Sequence, residues 1–117
     1  MEMKSKVQFR LRIHRDDDIA VGPGKIALLE AIAETGSISA AGRRLGMSYR
    51  RAWMLVDEMN RALSSPAVST AAGGAHGGGT QLTDTGRKMI KHYRAIESTA
   101  RLAAAADIAA LTRLLAP

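Results

Sequence analysis

At 117 residues, with 46% apolar and 24% charged residues, the chain has the size and composition of one globular domain, which excludes wholesale disorder. Seventeen Lys and Arg against eleven Asp and Glu leave a net charge of +6, a balance suited to a polyanionic partner. The absence of cysteine excludes disulfide frameworks and thiolate metal sites, and no apolar run approaches the ~20 residues that a membrane span needs.

The first residues, MEMKSKVQFRLRI, lack the continuous apolar core of a secretory signal, so a cytoplasmic protein without membrane contacts is expected. Within them Val7, Phe9, Leu11 and Ile13 alternate with Gln8, Arg10 and Arg12, the period of a half-buried strand over 7–13. Asp16, Asp17 and Asp18 end it in an acidic turn. Pro23 suits the first position of a helix, because its missing N–H costs nothing there. Ile26, Leu29 and Ile32 then mark an amphipathic helix over 23–35, with Gly36 as its left-handed cap.

Ser37 caps a second helix carrying Ile38, Ala40, Ala41 and Leu45, and Gly46 ends it. Ser48 caps a third helix, over about 48–63, whose Ala52, Val56, Met59 and Leu63 recur at helical spacing. Two such helices joined by Leu45-Gly46-Met47-Ser48 make a helix-turn-helix, with the small Ala40 and Ala41 suited to a close crossing. An ordinary helical hairpin is the alternative.

After Pro66, Ala67-Val68-Ser69-Thr70 and Thr80-Gln81-Leu82-Thr83 are strand-compatible segments around the glycine-rich AGGAHGGGT. That pattern reads as a hairpin, or wing, over 67–83 with a long tip. Thr83 then caps a helical pattern of roughly thirty residues, far beyond the usual eleven or so. The expected class is therefore mostly α with a small β hairpin. In full it is a winged helix-turn-helix with an N-terminal strand (1–83), followed by a long C-terminal helix (84–117) belonging to the same domain.

The chemistry points away from catalysis. The histidines, at 14, 76 and 92, have no ligand spacing, so no metal site is expected. The glycine run lacks the Lys-Ser/Thr ending of a phosphate loop, and no serine or histidine stands in a nucleophile's context, so no enzyme is expected. From Ser37 to Met54 there are instead four arginines (Arg43, Arg44, Arg50, Arg51) and no acid; Asp57 and Glu58 follow only later. A recognition helix reads bases with its N-terminal turns, so this order suits double-stranded DNA. Tyr49 and Trp53, four apart, share a face of that helix; Trp53 reads equally as core or as groove-facing. The last helix has more apolar residues than so small a domain can bury. Ile90, Tyr93, Ile96, Leu111 and Leu114 are expected to pack against a second copy, the alternative being a frayed tail.

The runs GSISAAGRRLGMSYRRAWMLVDEMN (36–60) and GGAHGGGTQLTDTGRKMI (73–90) resemble the N-terminal DNA-binding domain of the ModE-type molybdate-responsive regulators, winged helices related to the LysR-type helix-turn-helix. The resemblance covers nearly the whole chain. It implies a homodimeric transcription regulator of palindromic operator DNA, with molybdenum metabolism as its setting. Ser48, Tyr49, Arg50, Arg51 and Trp53 match the start of the recognition helix, His76 and its glycines match the wing, and 84–115 match the dimerisation helix. Arg50 and Tyr49 would read base edges, and Arg43, Arg44 and Arg51, with the Ser37 end of the second helix, would hold phosphates. Relatives that sense molybdate do so through further C-terminal β domains; this sequence ends at Pro117, so no cofactor is expected of it and a sensor would be a separate protein. From Ala67 to Thr83 no Lys, Arg, Asp or Glu occurs, so the wing would meet phosphate through backbone N–H, hydroxyls and His76. A winged-helix protein-interaction module, using the basic face and the long helix for assembly, is the alternative of a different class.

Overall fold

A computed structural model describes residues 4–70 and 79–117. The elements run β1 (Ile13–Arg15), β2 (Asp18–Val21), α1 (Pro23–Thr35), α2 (Ile38–Arg44), α3 (Tyr49–Ala62), β3 (Val68–Thr70), β4 (Thr80–Leu82), α4 (Asp84–Ala103) and α5 (Ala105–Thr112). β1 and β2 form one antiparallel pair and β3 and β4 another, the wing, in which Val68 faces Leu82 and Thr70 faces Thr80. This is a winged helix-turn-helix.

The N-terminal strand begins later than its alternation predicts. Pairing starts only at Ile13, and Asp16 takes the left-handed turn position (φ 55°) that a short polar side chain tolerates. The preceding residues find their partners in side chains of α4, not in a ladder: the Tyr93 hydroxyl donates to the Leu11 carbonyl (3.1 Å) and Arg101 to that of Val7 (3.3 Å).

α1 starts with Pro23 at its first turn and stops at Gly36, whose φ of 68° only glycine adopts without cost. It is the hub of the core: Ile26, Leu28, Leu29 and Ile32 are wholly buried, against Ile38 and Ala41 of α2 and Ala52, Val56 and Met59 of α3. Ser37 and Ser48 cap α2 and α3, accepting from the Ala40 and Arg51 N–H groups (both 3.1 Å). Ala41 and Gly42 of α2 are both buried, and Gly42 lies against Ala52 of α3. A Cβ there would stand 2.8 Å from the Ala52 Cβ, so the crossing needs a glycine and an alanine.

The long C-terminal helix expected as one piece is two. Ala104 leaves helical geometry (φ −97°, ψ 6°) and α5 follows without a side-chain cap. Alanine is the best helix former, so propensity does not make this break. Packing thins out along the same stretch: beyond Tyr93 no residue of α4 or α5 is buried, and past the Arg101 bond to Val7 no side chain of the arm bonds the body of the domain among the described residues. Arg94 fastens the packed half of α4 to α1, bonding Glu30 at 3.1 Å and Glu97 at 2.6 Å. Those bonds, that to Glu30 foremost, make the guanidinium hold its proton still more firmly than usual.

Candidate nucleic-acid interface

α3 is amphipathic, and its outer face is the candidate site. Ala52, Val56 and Met59 fix it to the core, which leaves Tyr49, Arg50, Arg51, Trp53 and Met54 exposed along its N-terminal half. Arg50, Met54, Asp57 and Arg61 recur every three or four residues and form one outward stripe. At its far end Arg61 pairs with Asp57 (2.9 Å), so the free positive charge lies at the N-terminal end. Tyr49, 63% exposed, meets Trp53 edge to face with ring centroids 6.1 Å apart. Trp53, 38% exposed, is thus not a core residue. It walls a cleft of about 210 Å³ whose other sides carry the hydroxyl residues Ser37, Ser39, Thr70 and Thr80.

α2 adds Arg43 and Arg44, both exposed, from the neighbouring side. Arg44 is engaged with Glu34 at the end of α1, with 49% and 67% of the two side chains exposed. A pair so solvated contributes only about 0–1 kcal/mol, so it restrains Arg44 without withholding it from a phosphate. His76, with the glycine stretch around it, lies outside the described residues.

The structure adds residues that the sequence patterns missed. Met54 stands one turn beyond Arg50, half exposed, where an apolar side chain can meet a thymine methyl; its i+4 spacing from Arg50 was the available signal. Asn60 joins the end of α3 to the wing: its Oδ1 accepts from the N–H groups of Ala67 (2.9 Å) and Val68 (3.2 Å), and its Nδ2 donates to the Val68 carbonyl (3.1 Å). No periodicity marks such a residue. The wing is tied further by the Thr80 N–H to the Gly36 carbonyl (3.1 Å), and by Thr83, which caps α4 and donates to the Pro66 carbonyl (2.6 Å).

The expected dimer residues divide. Tyr93 is 2% exposed and belongs to the core of its own chain, and Ile90 packs partly against that core. Ile96, Leu111 and Leu114 are exposed, with Leu102 and Leu115 beside them, along the arm that α4 and α5 extend from the domain. Among the described residues no helix is long and apolar enough to cross a membrane, and no group of His, Asp and Glu could hold a metal ion.

A wing beside a helix-turn-helix whose second helix presents a basic face defines a class, and comparison agrees with it. The family described as bacterial regulatory helix-turn-helix protein, lysR family, matches residues 24–87, more than half of the chain, and the chain belongs to it. Within that class the chain is similar to the molybdenum-pterin-binding protein MopB of Rhodobacter capsulatus, 51% identical over 78 residues, covering 67% of this chain and 29% of the relative. It is 45% identical over 92 residues to the molybdenum transport protein ModE of Azotobacter vinelandii (77% and 34% covered). To the DNA-binding transcriptional dual regulator ModE of Escherichia coli K12 it is 35% identical over 91 residues (78% and 34%). The resemblance to the ModE type thus holds, while the chain spans about a third of the length of these curated relatives.

Proposed function

We propose that the protein is a sequence-specific DNA-binding transcriptional regulator, acting as a homodimer on a palindromic operator and linked to molybdenum metabolism. The observation that carries this reading is the outer face of α3: two arginines, two aromatics and a methionine in its first two turns, no acid before Asp57, and Arg43 alongside. In the major groove Arg50 and Tyr49 read base edges, guanidinium being suited to the two acceptors of guanine. Arg43, Arg44 and Arg51 hold phosphates, as does Ser37. The hydroxyl-lined cleft beside Trp53 faces the same strand, and His76 meets the backbone from the wing. The exposed apolar side chains of the arm support a twofold partner, and the names of the relatives support the molybdenum setting.

Selection from random duplexes, with and without molybdate, tests this reading. The expected product is a twofold site, bound with an affinity that falls steeply as salt rises. Arg50→Ala should lose about 1–3 kcal/mol on that site and little on random DNA. Equal loss on both would remove Arg50 from base reading. Salt-independent binding, or no selected site, would favour a protein-interaction module.

A further inference from the structure

Among the described residues, the arm leaves two apolar surfaces of one chain without partners. One is a furrow of about 280 Å³ between the N-terminal hairpin and α4, bounded by Leu11, Ile13, Val21, Met89 and Ile96, with Lys88 and His92 at its rim. It continues along α4 past Ile96 to Ala100 and Ala103. The other is α5 and the turn after it, where Ile108, Leu111, Leu114 and Leu115 share one side and no residue is buried. α5 departs at Ala104, two turns beyond Ile96, and carries its apolar side away from the hairpin end of the furrow.

We propose that each furrow is filled by α5 of a second copy, so that the dimer is a reciprocal exchange of arms and not a pairing of α4 with α4. This rests on the homodimer in the proposed function and specifies which surfaces meet. Two observations and the symmetry of a dimer favour that occupant. α5 is apolar and short, with no residue buried and Leu111 two-thirds exposed, the form of a helix that lays its side chains into a groove. A twofold axis makes every such contact twice, so two short helices seal two furrows. Charge also fits: Asp107, the one acid of α5, lies one turn before Leu111 on the same side, where it can meet Lys88 on the rim of the furrow.

The chain has no cysteine, so introduced thiols report these contacts without background. Ile96→Cys and Leu111→Cys chains, mixed and oxidised, should give a disulfide-linked dimer containing one of each, because a disulfide forms only when the Cα atoms come within about 7 Å. Each variant alone should give little. Self-linking of Ile96→Cys would mean that α4 faces α4, and self-linking of Leu111→Cys that the arm tips meet; either overturns the exchange. A dimer by sedimentation with no mixed link overturns the exchange but leaves the homodimer standing, whereas a monomer at micromolar concentration overturns both. As a second, folding-neutral measurement, Lys88→Asp should weaken dimerisation a few-fold, and adding Asp107→Lys should restore it. Failure of the double variant to recover would remove the rim pair and with it the proposed register.

Discussion

Asn60→Ala is the substitution whose cost can be worked most directly. Three hydrogen bonds leave with the amide, and two of the stranded groups are the N–H groups of Ala67 and Val68, both buried residues that water does not reach in place. A hydrogen bond contributes about 1 kcal/mol net, and a buried group left unpaired costs about 1–3 kcal/mol, so the expected loss is about 3 kcal/mol. In a domain of this size that lowers Tm by roughly 12 °C. A urea melt followed by circular dichroism should show the midpoint falling with its slope unchanged. Asn60→Asp keeps the acceptors but turns an oxygen toward the Val68 carbonyl, and should recover only part of the loss. Operator affinity should fall in both variants while base preference, which the proposed function assigns to α3, stays the same. A loss under about 0.5 kcal/mol for Asn60→Ala would show that the end of α3 and the wing do not depend on this clamp.

Gly42→Ala should cost about 1–3 kcal/mol through overpacking against Ala52, and adding Ala52→Gly should return much of it; thermal melts of the three variants check this. Gly86→Ala should be at least as harmful, because its Cβ would press on the Ala67 carbonyl, and backbone cannot swing aside as a side chain can. Met54→Asp should abolish selective binding without lowering Tm, since Met54 is half exposed and would carry the wrong charge into the groove. The carboxyl of Asp84 is held below its usual range, first by the hydrogen bond from Arg87. A depressed carboxyl stabilises the fold above the unfolded carboxylate range, and the gain is lost as pH falls through the folded value. Asp84→Asn should therefore flatten the acid side of the stability–pH curve and leave the basic side unchanged.

What was legible in the sequence is what local chemistry decides. Pro23, Gly36, Ser37, Ser48 and Thr83 mark helix ends because caps act within a few residues, and the helices begin and stop there. The core stripe of α3 follows from helical spacing, and so do the arginines opposite it. Contacts made across long sequence separations carry no such mark. The alternation over 7–13 predicts a half-buried strand, yet pairing starts only at Ile13 and both Val7 and Ile13 stand exposed; whether a segment pairs depends on a neighbour, and there the neighbours are Tyr93 and Arg101. Tyr93 fits an amphipathic stripe equally well whether the partner is its own core or a second copy. Its hydroxyl, bonded 82 residues away, decides for the core.

The same long-range contacts bear on how dimerisation would reach the DNA. α4 begins one residue after β4, and Thr83 is both the joint between them and the cap of α4. Thr83 also holds the segment leading into β3 through Pro66, while its own N–H bonds the Ala67 carbonyl (3.0 Å). Ala67 in turn is bonded by Asn60 at the end of α3. An arm fixed by a second copy is therefore joined through backbone and side-chain hydrogen bonds first to the wing and then to α3. Loosening the arm should disturb the wing before it disturbs base reading. Dimer-weakening substitutions such as Leu111→Asp should then reduce affinity for a twofold site far more than for a single half-site, and leave the preferred bases of the half-site unchanged. A shift in those bases would place the coupling through α1 instead, along the Arg94–Glu30 bond.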